Sequence, residues 1–287
     1  MWVIVGCIVL VLAGLVAAVR WGDLTVEPPA APAPEDPADA PERPPMGLVA
    51  RRYLWYLTVA VVSGVGAGIT AAGAGGRLVM RLLAVTAGAD AQGGITEADE
   101  VVGRISLDGT LGFVIFTGLF VGLASGFLYL LLRRWLPAGR AGGLAYGALL
   151  LVVAGTRLDP LRPGNSDFDL VGPGWVSVAA FAALVVFQGV LVAALAGRVS
   201  RALPLLGTGR RAILAHAPLL LLLPLGSLVL LLGVVGAVVV LASQVPAVVA
   251  AVRDHRLVTG GRVAVALVAL VALPGFASAV VDILGRP

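Results

Sequence analysis

The chain has 287 residues, of which 59% are hydrophobic and 13% charged, and its mean hydropathy is +1.02. Soluble domains carry about 25% charged residues, so this composition excludes an ordinary water-facing globule and points to an all-α, polytopic helical membrane protein. The net charge of +4 rests on arginine alone, since no lysine occurs. The arginines stand at the ends of apolar runs, which fits membrane topology and excludes the clustered basic face of a nucleic-acid binder.

Residues 1–20 open with MWVIVGCIVLVLAGLVAAV, an apolar run with no positive residue before it and Arg20 behind it. A cleaved signal peptide carries its charge in front. The run therefore reads as an uncleaved transmembrane anchor with its N-terminus outside. Its single cysteine, Cys7, reads as a small apolar residue within the span, and one cysteine excludes a disulfide or a multi-cysteine metal site. Residues 21–50 differ in kind. Between positions 22 and 45 lie eight prolines, six acids and one arginine, the composition of a solvated, disordered, semi-rigid linker, placed inside.

Residues 51–287 are expected to form a seven-span domain. The second span, 53–73, opens on Tyr53, Trp55 and Tyr56, which suit a headgroup interface. The segment 76–88 either continues that helix outward or lies along the surface. Thr96-Glu97-Ala98-Asp99 has the pattern of a capping box and predicts a short outer helix. Spans three to five are read at 110–132, 141–156 and 174–197; the fourth covers only about 24 Å. Residues 212–252 hold no charge and are read as a two-span hairpin, because a hairpin keeps the arginines at 133–140, 198–211 and 253–262 on one side. The last span is 263–281. Eight transmembrane helices in a 1+7 arrangement follow, with 14 arginines and 7 acids inside against 6 arginines and 9 acids outside.

The polar loop TRLDPLRPGNSDFDLVGPGW, residues 156–175, then falls outside, as do Asp90, Glu97, Asp99, Glu100 and Asp108. Arg77 and Arg81 are four apart on one helical face and need anionic partners at their depth. The loop is read as an outer cap whose Asp159, Asp167 and Asp169 pair with that stripe, forming a candidate ion-pair or anion site. Within the spans the candidate polar residues are Gln188, His216 and Gln244. Two histidines cannot supply a three-histidine zinc site, and no nucleophile elbow or phosphate loop occurs; no catalytic residue, cofactor or metal is expected. Gly64, Gly68, Ala72 and Gly76, and Gly118, Gly122 and Gly126, recur at four and read as faces for close helix packing.

These features predict a multi-pass protein of a bacterial cytoplasmic membrane, acting as a non-catalytic scaffold or accessory subunit. Its expected partners are membrane lipids and another membrane protein met through the glycine-rich faces. Two other readings compete. One is a transporter or channel for an anionic or lipidic molecule with Arg77 and Arg81 at its outer mouth. The other is a membrane enzyme acting on a lipid-linked phosphate.

Overall fold

The computed structural model describes residues 2–30, 44–89, 91–97, 101–104, 106–157, 160–162 and 164–286. Among them there is no strand, only an isolated bridge between Ile95 and Val101. The helices are α1 (Trp2–Trp21), α2 (Met46–Thr86), α3 (Leu107–Leu132), α4 (Arg140–Ala154), α5 (Asp167–Leu170), α6 (Gly174–Ala202), α7 (Arg210–Ala215), α8 (Gly226–Ala242), α9 (Pro246–Arg253) and α10 (His255–Leu284). Five of them, α1, α2, α3, α6 and α10, are long and apolar enough to cross a membrane. The bent pair α8 and α9 raises that number to six, and α4 is a shorter apolar helix. By length and composition, five or six of the eight expected spans are thus found among the described residues.

Helix α2 is the spine. Its 41 residues extend about 60 Å, roughly twice the hydrocarbon thickness, so it projects beyond the expected span at both ends. The segment 76–88 thus continues the second span and does not form a separate surface helix. Midway, Gly68–Gly75 winds as a π-helix. Small residues permit this wide turn, and the Thr70 hydroxyl donates to the Gly66 carbonyl at 2.8 Å, bonding back along the chain.

Packing against α2 is backbone to backbone. A Cβ on Gly68 would stand 2.0 Å from the Gly118 carbonyl oxygen, and one on Gly64 would stand 2.3 Å from that of Gly122. The glycine repeats of α2 and α3 therefore face each other within one chain, where absence of side chains lets the axes close. Helices α4 and α6 meet the same way, with Gly147 against Gly189. Small residues also seat α1: Gly14 faces Thr70, Phe187 and Leu191, and Cys7, Gly14 and Ala18 are its buried positions.

Two ends can be told apart. At the arginine-rich end, the segment after α1 is fastened across the bundle. Asp23 pairs with Arg140 at 3.0 Å and Glu27 with Arg201 at 3.7 Å, while Arg133 donates to the Val26 carbonyl at 3.0 Å. Val26 is buried and the Leu24 carbonyl rests on Gly197. The expected disordered linker over 21–50 is thus replaced by ordered chain at both of its ends. Its first residues form a strap, Met46–Ala50 belong to α2, and only its middle, 31–43, lies outside the described residues.

The aromatic cluster at this end turns inward instead of lining an interface. Trp55 is fully buried and donates from Nε1 to the Leu203 carbonyl at 2.9 Å. Tyr53 donates to the Leu232 carbonyl, and the Tyr56 hydroxyl accepts from Arg133.

The uncharged stretch 212–252 leaves and returns at this same end. Leu203 lies on Trp55, Gln244 donates to the Pro44 carbonyl at 3.2 Å, and Arg134 donates to the Val252 carbonyl. By length and composition one bent span, α8 with α9, is found in it. Helix α7 gives way to a 3-10 turn over Ala217–Leu222 with Pro218 near its start, and Pro224 stops it. After α8 the chain bends by 104° into α9, which begins at Pro246. Proline has no N–H to continue a helix and clashes with the preceding turn, so the first arm stays short and the second is broken after α8. The apex residue Leu222 packs with Val61 and Leu123, in the middle of α2 and α3.

Candidate functional site

At the opposite end, three connections gather: 87–106 between α2 and α3, 155–173 between α4 and α6, and the C-terminus. Ser106 caps α3 by accepting from the Gly109 amide at 3.2 Å. The expected helix at Thr96–Asp99 is absent from the described residues there. Instead Gly93 and Gly103, at φ +85° and +86°, turn the chain so that the Gly93 amide reaches the Val102 carbonyl and the Val102 amide that of Gly94. Positive φ favours glycine, and here the two glycines frame an antiparallel pairing of 93–95 with 101–102 where the capping-box pattern had suggested a helical turn. Gln92 closes the end of α2, donating to the Ala84 carbonyl at 2.6 Å.

The polar loop covers this end, as a cap. Phe168 and Leu161 are buried with Leu83, Phe181 and Ile283 beneath it. Its charged residues tie connections to one another. Arg162 pairs with Glu97; Asp169 pairs with Arg286 at 3.2 Å; and the Asp167 carboxylate accepts from the Glu97 amide at 2.7 Å. Arg286 also donates to the Asn165 carbonyl at 2.9 Å. A groove of about 490 Å³ opens between Thr86 and Asp169–Pro173.

Arg77 and Arg81 share this end but are not joined to Asp167 or Asp169. Arg77 donates from Nη2 to the Thr110 hydroxyl at 3.0 Å and lies 5.6 Å over the Phe113 ring. Among the described residues Arg81 reaches the Gly103 carbonyl alone, at 3.4 Å. For Asp167 and Asp169 the expected pairing with the stripe is replaced by bonds from Arg77 to Thr110 and from Arg81 to the Gly103 carbonyl, since the Glu97 amide and Arg286 hold these two acids. Asp159, like Asp90, Asp99 and Glu100, lies outside the described residues.

The intramembrane candidates separate. Gln188 is buried in α6 at 4% exposure, and neither its amide nitrogen nor its oxygen has a hydrogen-bond partner among the described residues. One turn before it, Leu184 reaches Gly75; two turns after, Leu195 reaches Gly66. Gln188 thus lies on the face of α6 turned to the π-helical part of α2. His216 is buried at the arginine-rich end, with Nδ1 2.8 Å from the Ala212 carbonyl and Nε2 unpaired. Gln244 is a tie between chain segments at that end and not a mid-span group.

The sequence reading missed one buried polar pair. The Tyr146 hydroxyl donates to the Ser125 carbonyl at 2.6 Å, joining α4 to α3. A tyrosine within a glycine-rich apolar run, unable to leave its hydroxyl unbonded, was the available signal. Among the described residues no three His, Cys, Asp or Glu side chains come together as metal ligands.

What these groups can do is bounded by their kind: guanidinium forks at one end, one unpaired amide within, and seams of glycine between. The chain matches no family of known proteins, no curated protein and no solved structure.

Proposed function

We propose that the chain is a non-catalytic, membrane-embedded scaffold or accessory subunit of a bacterial cytoplasmic membrane. It enters with the N-terminus outside, keeps 21–50 inside and carries the loop 157–173 outside. Helices α1, α2, α3, α4, α6 and α10 make six crossings, and the broken hairpin from α7 to α9 stands in for the remaining two of eight. The gathering of Arg133, Arg134, Arg140, Arg198 and Arg201 at one end supports this orientation.

The observation that carries the role is the closure of the bundle by glycine against backbone, at Gly64, Gly68, Gly118, Gly122, Gly147 and Gly189. Seams of this kind leave no room for a solute path between the helices they join. They also occupy the faces first assigned to a partner, so partner contact shifts to α8 and α10, whose apolar side chains are the least covered. Leu230 is 71% exposed and Val271 77%.

A photo-crosslinking residue at Leu230 and, separately, at Val271 tests the role in native membranes. The expected outcome is protein adducts of one common mass from both sites, and only lipid adducts from Phe116 on α3, also exposed. Lipid adducts alone at all three positions would overturn it.

A further inference from the structure

We propose that Arg77 and Arg81 form a seat for the phosphate of a membrane phospholipid, with an acyl chain lying on the phenylalanine face of α3. The two guanidinium groups stand one turn apart near one end of α2. Neither has a carboxylate within ion-pair distance among the described residues, because Glu97 and Asp169 are held by Arg162 and Arg286. Arg77 commits one nitrogen to Thr110, and Arg81 one to a carbonyl at 3.4 Å. Most of the N–H donors of both forks remain open, in the planar arrangement that suits phosphate oxygens.

Depth selects the source of that phosphate. The neighbour of Arg77, Leu78, packs against Cys7, inside the exposed end of α1 at Trp2, and Arg77 itself bonds Thr110, one turn inside the Ser106 cap. An unpaired charge at that level is costly, and a lipid headgroup is the anion found there. Below Arg77, the ring of Phe113 is followed at three and seven residues by Phe116 and Phe120, exposed by 63% and 52%. That spacing makes one helical face, apolar and open to lipid. A free anion gains nothing from it; a phospholipid meets charge and face together. The inference stands apart from the scaffold role and holds for either leaflet, so its failure and that of the cross-linking test are separate events.

The experiment uses the full chain in detergent and follows binding by native mass spectrometry with three probes: dioctanoyl phosphatidylglycerol, dioctanoylglycerol and inorganic phosphate. The phosphatidylglycerol is expected to bind well above the other two. Arg77→Gln and Arg81→Gln should each weaken it roughly tenfold or more, the loss of one charge-assisted contact, whereas Arg157→Gln leaves it unchanged. Inorganic phosphate binding as tightly as the lipid would overturn the lipid source. Dioctanoylglycerol binding as tightly, or undiminished binding in both glutamine variants, would overturn the phosphate seat. Should the glutamine variants fail to fold, Arg77→Lys with Arg81→Lys keeps the charge and loses the forks. Binding several-fold weaker than wild type then supports the seat, and equal binding overturns it.

Discussion

Gln188 holds an amide with both polar atoms unpaired at 4% exposure. Burying such a group without partners costs about 1–3 kcal/mol, and methionine fills a similar volume without the polar atoms. Gln188→Met is therefore expected to raise the thermal unfolding temperature of the isolated chain in detergent. A fall instead would show that the amide has a partner in the purified protein. The glycine seam makes the opposite forecast. Gly68→Val drives side-chain carbons into the Gly118 carbonyl, a backbone atom that cannot swing aside, and overpacking of this kind costs about 1–3 kcal/mol or more. Gly112→Ala, in the same pair of helices, meets nothing within 4 Å and gains up to about 1 kcal/mol of helix propensity. Thermal melts of the two should move in opposite directions. The repeat at four made this seam legible before any coordinates. The role of Trp55 was not, because it rests on the Leu203 carbonyl, 148 residues away, and no local pattern announces such a bond.

At the scale of elements, what sequence conveyed was where apolar helices lie. Less visible was how they end. Charge placement alone required 212–252 to return to the side it left, and the contacts of Leu203, Gln244 and Val252 place both its ends together. Hydropathy could not tell two spans from a proline-broken hairpin, since lipid accepts either set of side chains. The strap after α1 was hidden for another reason. Its proline neighbours and acids read as solvated linker, and its ties run to residues far along the chain: Arg133 just past α3, Arg140 on α4, and Gly197 and Arg201 on α6. Each exposed ion pair contributes only about 0–1 kcal/mol, so the strap depends on the fit of Leu24 over Gly197. A Cβ there would stand 2.4 Å from the Leu24 carbonyl oxygen. Gly197→Leu should lift the strap, and maleimide labelling of Leu24→Cys, in a Cys7→Ala background, should accelerate. Gly207→Leu, whose Cβ meets nothing nearer than the Leu205 carbonyl oxygen at 4.0 Å, should leave the rate as it was. Equal rates in the two would mean that the ion pairs alone hold the segment.

For the whole molecule, orientation and span count are separable by three engineered cysteines, each in the Cys7→Ala background. Ala138→Cys sits in the turn before α4, and is preferred to its neighbour Gly139, whose φ of +64° would strain a side chain. Ser166→Cys sits in the cap. Both sites are exposed, so an impermeant maleimide on intact cells should modify Ser166→Cys and spare Ala138→Cys, and inverted vesicles should reverse the pattern. The third, Ser227→Cys, lies just past the apex of the hairpin. Were 212–252 two complete spans, that turn would emerge on the cap side and label together with Ser166→Cys. In the proposed arrangement Leu222, packed on Val61 and Leu123, holds the apex within the hydrocarbon, where thiols do not ionise and the reagent does not partition. Protection of Ser227→Cys from both sides, with recovery of labelling in denaturant, is the result that a broken hairpin requires. Labelling from the cap side would restore eight full crossings, and would require the apex to move outward past the level of Arg77.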